Sequence, residues 1–100
     1  MTVEFLIAVS ILVIILGLYG LMTKRNLIKM FIAIEIVFFG TMILIAILSL
    51  IAVNPVLSQF FVLIIALVAA LEEAVGVGII LVIKRTTGTI DADELAQLKE

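Results

Sequence analysis

Cysteine, histidine and tryptophan are absent from this 100-residue chain, and it has a single proline. Without thiol or imidazole it lacks the usual ligands of iron–sulfur clusters, haem, zinc and copper, and the usual thiol and imidazole nucleophiles. Catalytic, metal-ligating and cofactor-binding residues are therefore expected to be none in this chain, and redox chemistry to fall to other chains. Charge is also scarce, with 14% charged residues, six Lys and Arg against eight Asp and Glu, and a net charge of −2. No nucleic-acid partner is expected.

Hydrocarbon is what the chain has in abundance. Sixty-six per cent of the residues are hydrophobic and the mean hydropathy is +1.52, against roughly 45–50% apolar usage in soluble domains. A soluble fold this small buries only about two-thirds of its surface, so the excess would face water. The lipid bilayer is the solvent that fits.

Three apolar runs, at about residues 3–22, 27–53 and 56–83, are each long enough to span a bilayer, since roughly 20 residues of helix cover the hydrocarbon core. Met1 to Leu6 carries Glu4 and no base, so the first run is expected to be a retained helix and not a signal peptide. Thr23–Asn26 forms a tight polar turn. Asn54-Pro55 pairs an N-cap with a proline at the first helical position, which predicts a very short second turn and the start of the third helix. The expected fold is an all-α membrane protein. Three antiparallel transmembrane helices fill residues 1–85, followed by a short polar cytoplasmic tail, 86–100. In that tail Asp91 and Glu94 have capping-box spacing, and Leu95 and Leu98 would share a face of a short helix ending at Lys99.

Lys24, Arg25 and Lys29 flank the first turn and Lys84-Arg85 follows the third run, while the second turn carries no base. The positive-inside rule then places the N-terminus outside and the C-terminus in the cytoplasm, in a multi-pass protein of the cell (inner) membrane.

The acids inside the runs are the functional signal. An ionised acid at a helix centre costs about 2.5–3.5 kcal/mol on translocon scales, and intramembrane acids usually mark ion or proton pathways. In low dielectric the charged form of a carboxyl is disfavoured, so such a group holds and releases protons near neutrality. Glu35 lies about eight residues into the second run and Glu72 about twelve residues before Lys84. Similar depths favour a relay along the membrane plane. Glu72 and Glu73 are adjacent and so point about 100° apart. Periodicity does not choose between them, and Glu35, Glu72 and Glu73 are all candidates for proton transfer. No Lys of the chain sits at their depth, so a partner subunit is expected to supply the counter-charge. Glu4 reads as a solvated end charge and Lys29 as snorkelling to the surface. Phe31, Phe38, Phe39, Phe60 and Phe61 read as lipid or packing contacts.

Several segments together carry a family likeness: Gly17-Leu18-Tyr19-Gly20-Leu21, Lys24-Arg25-Asn26-Leu27-Ile28, Ile34-Glu35, Ala69-Ala70-Leu71-Glu72-Glu73-Ala74-Val75-Gly76, and Ile90-Asp91 through Leu98-Lys99. Over nearly its full length the chain resembles the K subunit of NADH-quinone oxidoreductase (respiratory complex I) and related membrane-bound oxidoreductase and hydrogenase complexes. The resemblance implies a role in proton translocation through intramembrane glutamates, with Glu35 and Glu72 matching the family's helix-2 and helix-3 acids, the latter because Gly76 follows four residues later. Electron transfer to quinone or a related acceptor would occur in other subunits of the respiratory chain. The implied partners are the other membrane subunits, antiporter-like ones included. The chain departs from the family where Phe39 replaces a common Asn, in the extra acid Glu73, and in a short second turn. These departures suggest a divergent member, such as an archaeal or hydrogenase-linked relative. The alternative is a small subunit of a multisubunit cation/proton antiporter without redox activity. A four-helix drug exporter would need a deep acid in the first helix, and a bare membrane anchor would leave the acids unexplained.

Overall fold

Each helix begins after a short polar side chain that caps it. The computed structural model describes residues 2–99. Met1 and Glu100, the outer ends of the expected membrane domain and tail, lie outside the described residues. Helix α1 spans Val3–Thr23, and the Thr2 hydroxyl accepts from the Phe5 N–H at 3.1 Å. Helix α2 spans Leu27–Leu48, and Asn26 Oδ1 accepts from the N–H groups of Ile28 and Lys29. Helix α3 spans Pro55–Thr87 with Asn54 as its cap, the Asn54 side chain accepting from the Leu57 N–H at 3.2 Å. Helix α4 spans Ala92–Lys99, and Asp91 Oδ1 accepts from Asp93 and Glu94 N–H. These caps satisfy donors that a helix start leaves orphaned.

Two ends differ from the apolar pattern. α2 stops at Leu48 although the apolar run continues to Val53. Leu50 and Ile51 donate backwards three residues to Ile47 and Leu48, a tightened last turn. The Ser49 hydroxyl donates to the Ala46 carbonyl and accepts from Gln59 Nε2 at 2.7 Å. The second turn is therefore the six residues 49–54 and is not unusually short. Its Leu50, Ile51 and Val53 are exposed, so hydropathy alone could not see the helix end. α3 runs on past Ile83 to Thr87, its polar last turn carried by Thr86 and Thr87 hydroxyls donating to the Val82 and Ile83 carbonyls. It ends at Gly88, whose φ of 81° places it in the left-handed region, where glycine pays no Cβ penalty. The expected capping box of α4 is half formed: the Asp91 N–H donates to Thr89 Oγ1, not to Glu94.

α2 is the middle helix, packing against α1 on one side and less extensively against α3 on the other. The buried residues of α1 and α2 recur at seven-residue spacing and are small but for Ile47, with Ser10 and Gly17 on α1 and Ala33, Gly40 and Ile47 on α2. A Cβ added at Gly17 would lie 2.6 Å from Val37 Cγ2 and 2.9 Å from the Val37 nitrogen, and one at Gly40 would lie 3.1 Å from the Ile14 nitrogen. Backbone meets backbone here, as small residues in membrane helices allow. On α3 the buried residue is Ala69, and the Phe31 ring of α2 fills the space where a Gly76 Cβ would stand.

The interior is thus small and partly polar, while the exterior carries Tyr19, Met22, Phe39, Phe60 and Leu71. That inverts a soluble domain, in which large apolar side chains fill the core. α1, α2 and α3 are each long and apolar enough to cross a membrane.

Gly17→Ala is expected to destabilise the chain by about 1–3 kcal/mol through overpacking. Gly78→Ala, which meets nothing within 4 Å, is expected to be neutral or stabilising by up to about 1 kcal/mol through helix propensity. Thermal unfolding in detergent checks the pair.

Candidate proton-transfer site

Two contacts set how α3 lies against α2. Phe31 packs on Gly76, and Ser49 bonds Gln59 nearer the other end, so the helices run antiparallel in one register. Glu35 lies four residues beyond Phe31 and Glu72 four residues before Gly76. One helical turn, about 5–6 Å, therefore carries each from the same contact to the same level. That level is eight residues from the start of α2, or about 12 Å.

Adjacent positions on α3 send the two acids to opposite sides of the α2–α3 contact. Glu72 lines a groove of about 500 Å³ with Phe31, Ile34, Phe38 and Val75. Glu73 lines another, of about 380 Å³, together with Glu35, Ile32, Ile36, Phe39 and Val13 of α1. The structure thus brings Glu35 and Glu73 into one groove and sets Glu72 in the other. Periodicity had left the two α3 acids equivalent. What separates them is the rotation of α3 about its axis, set by Phe31 on Gly76.

Burial separates the acids further. Glu35 is half-buried, and its Oε1 is fully buried without a hydrogen bond among the described residues. A buried polar atom with no partner costs about 1–3 kcal/mol, which explains why such atoms concentrate at functional positions. Glu72 and Glu73 are exposed at the edges of their grooves. Phe39, where a polar side chain would have offered Glu35 a hydrogen bond, instead forms an apolar wall.

The bases lie elsewhere. Among the described residues none pairs with the three acids, and the one ion pair is Arg25 Nε with Asp93 Oδ1 at 3.9 Å, both exposed. Lys24 and Lys29 line a neighbouring groove that shares Ile32 and Ile36 with that of Glu35. Counting along one helix did not reveal this, because the groove is closed by Gly20 and Lys24 of the preceding segment. Glu4 is exposed at the start of α1, away from these grooves.

The profile of the family described as NADH-ubiquinone/plastoquinone oxidoreductase chain 4L matches residues 5–100. The chain belongs to this family. Among its relatives, the NADH-quinone oxidoreductase subunit K of Thermomicrobium roseum is 36% identical over 90 residues, covering 86% of this chain and 83% of that protein. The subunit K of a Sulfurovum species is 37% identical over 91 residues, covering 91% and 90%. That of Cytophaga hutchinsonii is 38% identical over 96 residues, covering 96% and 97%. The family profile reaches all four helices, tail included.

Because Glu35 Oε1 is buried without a partner, Glu35→Leu is expected to raise the stability of the chain in detergent by about 1–3 kcal/mol. Glu73→Leu, at an exposed position, is expected to change it by less than about 0.5 kcal/mol. Parallel melting curves of the two variants check the difference.

Proposed function

We propose that this chain is the small membrane-arm subunit of an NADH-quinone oxidoreductase, and that it takes part in proton translocation through Glu35, Glu72 and Glu73. The observation that carries this reading is the coincidence of a full-length family match with carboxyl groups at one level on both sides of the α2–α3 contact. Electron transfer to quinone belongs to other subunits, since the chain has no thiol or imidazole to hold a redox centre.

A relay in the membrane plane needs groups that hold a proton when dry and release it when a charge or water approaches. Glu35, half-buried in its groove, suits the first requirement. Glu72 and Glu73, exposed on opposite sides, suit exchange with groups outside the chain. A proton arriving at one groove and leaving from the other would pass the α2–α3 contact without crossing the bilayer. The partners are then the neighbouring membrane subunits, including antiporter-like ones, whose bases or waters complete the path.

Orientation follows from charge. The Arg25–Asp93 pair and the backbone bonds beside it bring the α1–α2 turn and the end of α3 together, so Lys24, Arg25, Lys29, Lys84 and Arg85 all lie at one end. The positive-inside rule makes that end cytoplasmic and the N-terminus external.

Glu35→Gln and Glu72→Gln are each expected to leave assembly intact and to lower proton pumping by about ten-fold or more, at the low end for loss of an acid–base group. Pumping by the complex in sealed vesicles measures this, and normal pumping by both variants defeats the proposal. Glu73→Gln identifies the exchange partner of Glu35: a defect equal to that of Glu35→Gln assigns Glu73, and a silent variant assigns Glu72. The subunits that purify with the chain separate this reading from a redox-free cation/proton antiporter.

A further inference from the structure

α3 is held to α2 at few places. Ala69 is its buried residue, and most of its remaining side chains are exposed. Ser49–Gln59 ties one end and Phe31–Gly76 the middle. The third attachment is made by the chain beyond α3. After the left-handed turn at Gly88, the Ile90 carbonyl accepts from the Leu27 N–H at 2.8 Å, and the Ala92 N–H donates to the Arg25 carbonyl at 2.6 Å. Asn26 and Asp91 thereby face each other as an isolated antiparallel bridge. Ile90, Asp91 and Ala92 are half-buried in doing so. Of the first four N–H groups of α2, that of Leu27 is the one that Asn26 does not serve, since Asn26 takes those of Ile28, Lys29 and Met30.

The consequence for the acids lies in helix geometry. Slipping α3 by one residue along its own screw moves it about 1.5 Å and turns it about 100°. Glu72 would then stand where Glu73 stood, in the groove of Glu35, and Leu71 would stand where Glu72 stood, so the other groove would lose its acid. We infer that Ile90–Ala92 is a register clasp: by bonding the α1–α2 turn it fixes α3 against α2 and decides which α3 acid shares the groove with Glu35. The inference rests on the proton-transfer reading for its effect on pumping, though not for its geometry.

The clasp can be cut without breaking a helix. Leu27 and Ala92 are each the first residue of a helix, where proline is well tolerated and removes only an N–H the helix does not use. Asn26, with φ −84° and ψ 127°, already has the backbone that precedes proline. Ala92→Pro deletes the bond to Arg25, Leu27→Pro the bond to Ile90, and Ala92→Ser keeps the N–H.

The experiment measures protons pumped per electron pair, alongside electron transfer, in the intact complex in vesicles. Both proline variants are expected to lower the ratio by about two-fold or more, as a misplacement of order 1 Å between donor and acceptor would, with electron transfer less affected and Ala92→Ser unchanged. A second readout is independent of pumping. The chain has no cysteine, so Ile34→Cys with Val75→Cys, which line one groove, can be bridged by a short bifunctional maleimide, and cutting the clasp is expected to reduce the yield at least two-fold.

Wild-type ratio and cross-link yield in both proline variants overturn the clasp. If only one proline variant assembles, it carries the test alone. Failure of both to assemble makes the segment an assembly element and overturns the register role. If Glu35→Gln and Glu72→Gln pump normally while the cross-link yield still falls, the relay fails and the clasp stands. If those glutamine variants lose pumping while the clasp variants behave as wild type, the clasp alone fails.

Discussion

The close approach of α1 and α2 at Gly17 and Gly40 is the constraint on which the rest of the arrangement depends. Lipid gives apolar side chains no reason to leave it, so helices in a membrane associate through packing and polar contacts and not through the hydrophobic effect. Gly17 against the Val37 backbone, and Gly40 against that of Ile14, provide such packing. They hold α1 and α2 as a rigid pair. α3 is added to that pair by a ring on a glycine, one side-chain hydrogen bond and the backbone bonds of the tail, a lighter attachment that leaves two open grooves beside the contact. Both grooves contain carboxyl groups because α3 carries two successive acids at the level of Glu35.

Much of this was legible in the sequence, and the reasons are physical. Two helix starts could be read from their caps, Asn54 before Pro55 and Asp91 before the tail helix, and both cap as their positions suggested. Counting residues gave Glu35 and Glu72 similar depths, about four residues apart, because helical rise is fixed; their common level comes from the register set by Phe31 on Gly76. The end of α2 could not be read. Leu50, Ile51 and Val53 are as apolar as the helix before them, and the end is marked instead by a tightened last turn and by the Ser49 hydroxyl accepting from Gln59 on the next helix. A contact of that kind exists only after the chain has folded back.

The same limit applied to the acids. A helical wheel separates Glu72 from Glu73 by about 100° but does not say which faces Glu35, since that depends on the rotation of α3 set by Phe31 and Gly76. The pairing of the tail with the α1–α2 turn was likewise hidden, because it uses backbone groups of Arg25, Leu27, Ile90 and Ala92 and leaves no trace in side-chain pattern. The family match covers residues 5–100 and so reaches the tail, a segment whose composition taken alone resembles a frayed end.

The length of α3 has a consequence for the surrounding membrane. Its 33 residues end in the polar turn Lys84–Thr87, and the apolar stretch before that turn makes a rod about 43 Å long, against a hydrocarbon thickness of about 30 Å. Such a mismatch is relieved by leaning, by local thickening of the bilayer, or by cover from neighbouring proteins. α1 and α2, at 21 and 22 residues, match the bilayer and have no need to lean. Lipid thickness therefore bears on α3 more than on its two companions, and any change of inclination it imposes falls on the lightly attached helix that carries two of the three acids.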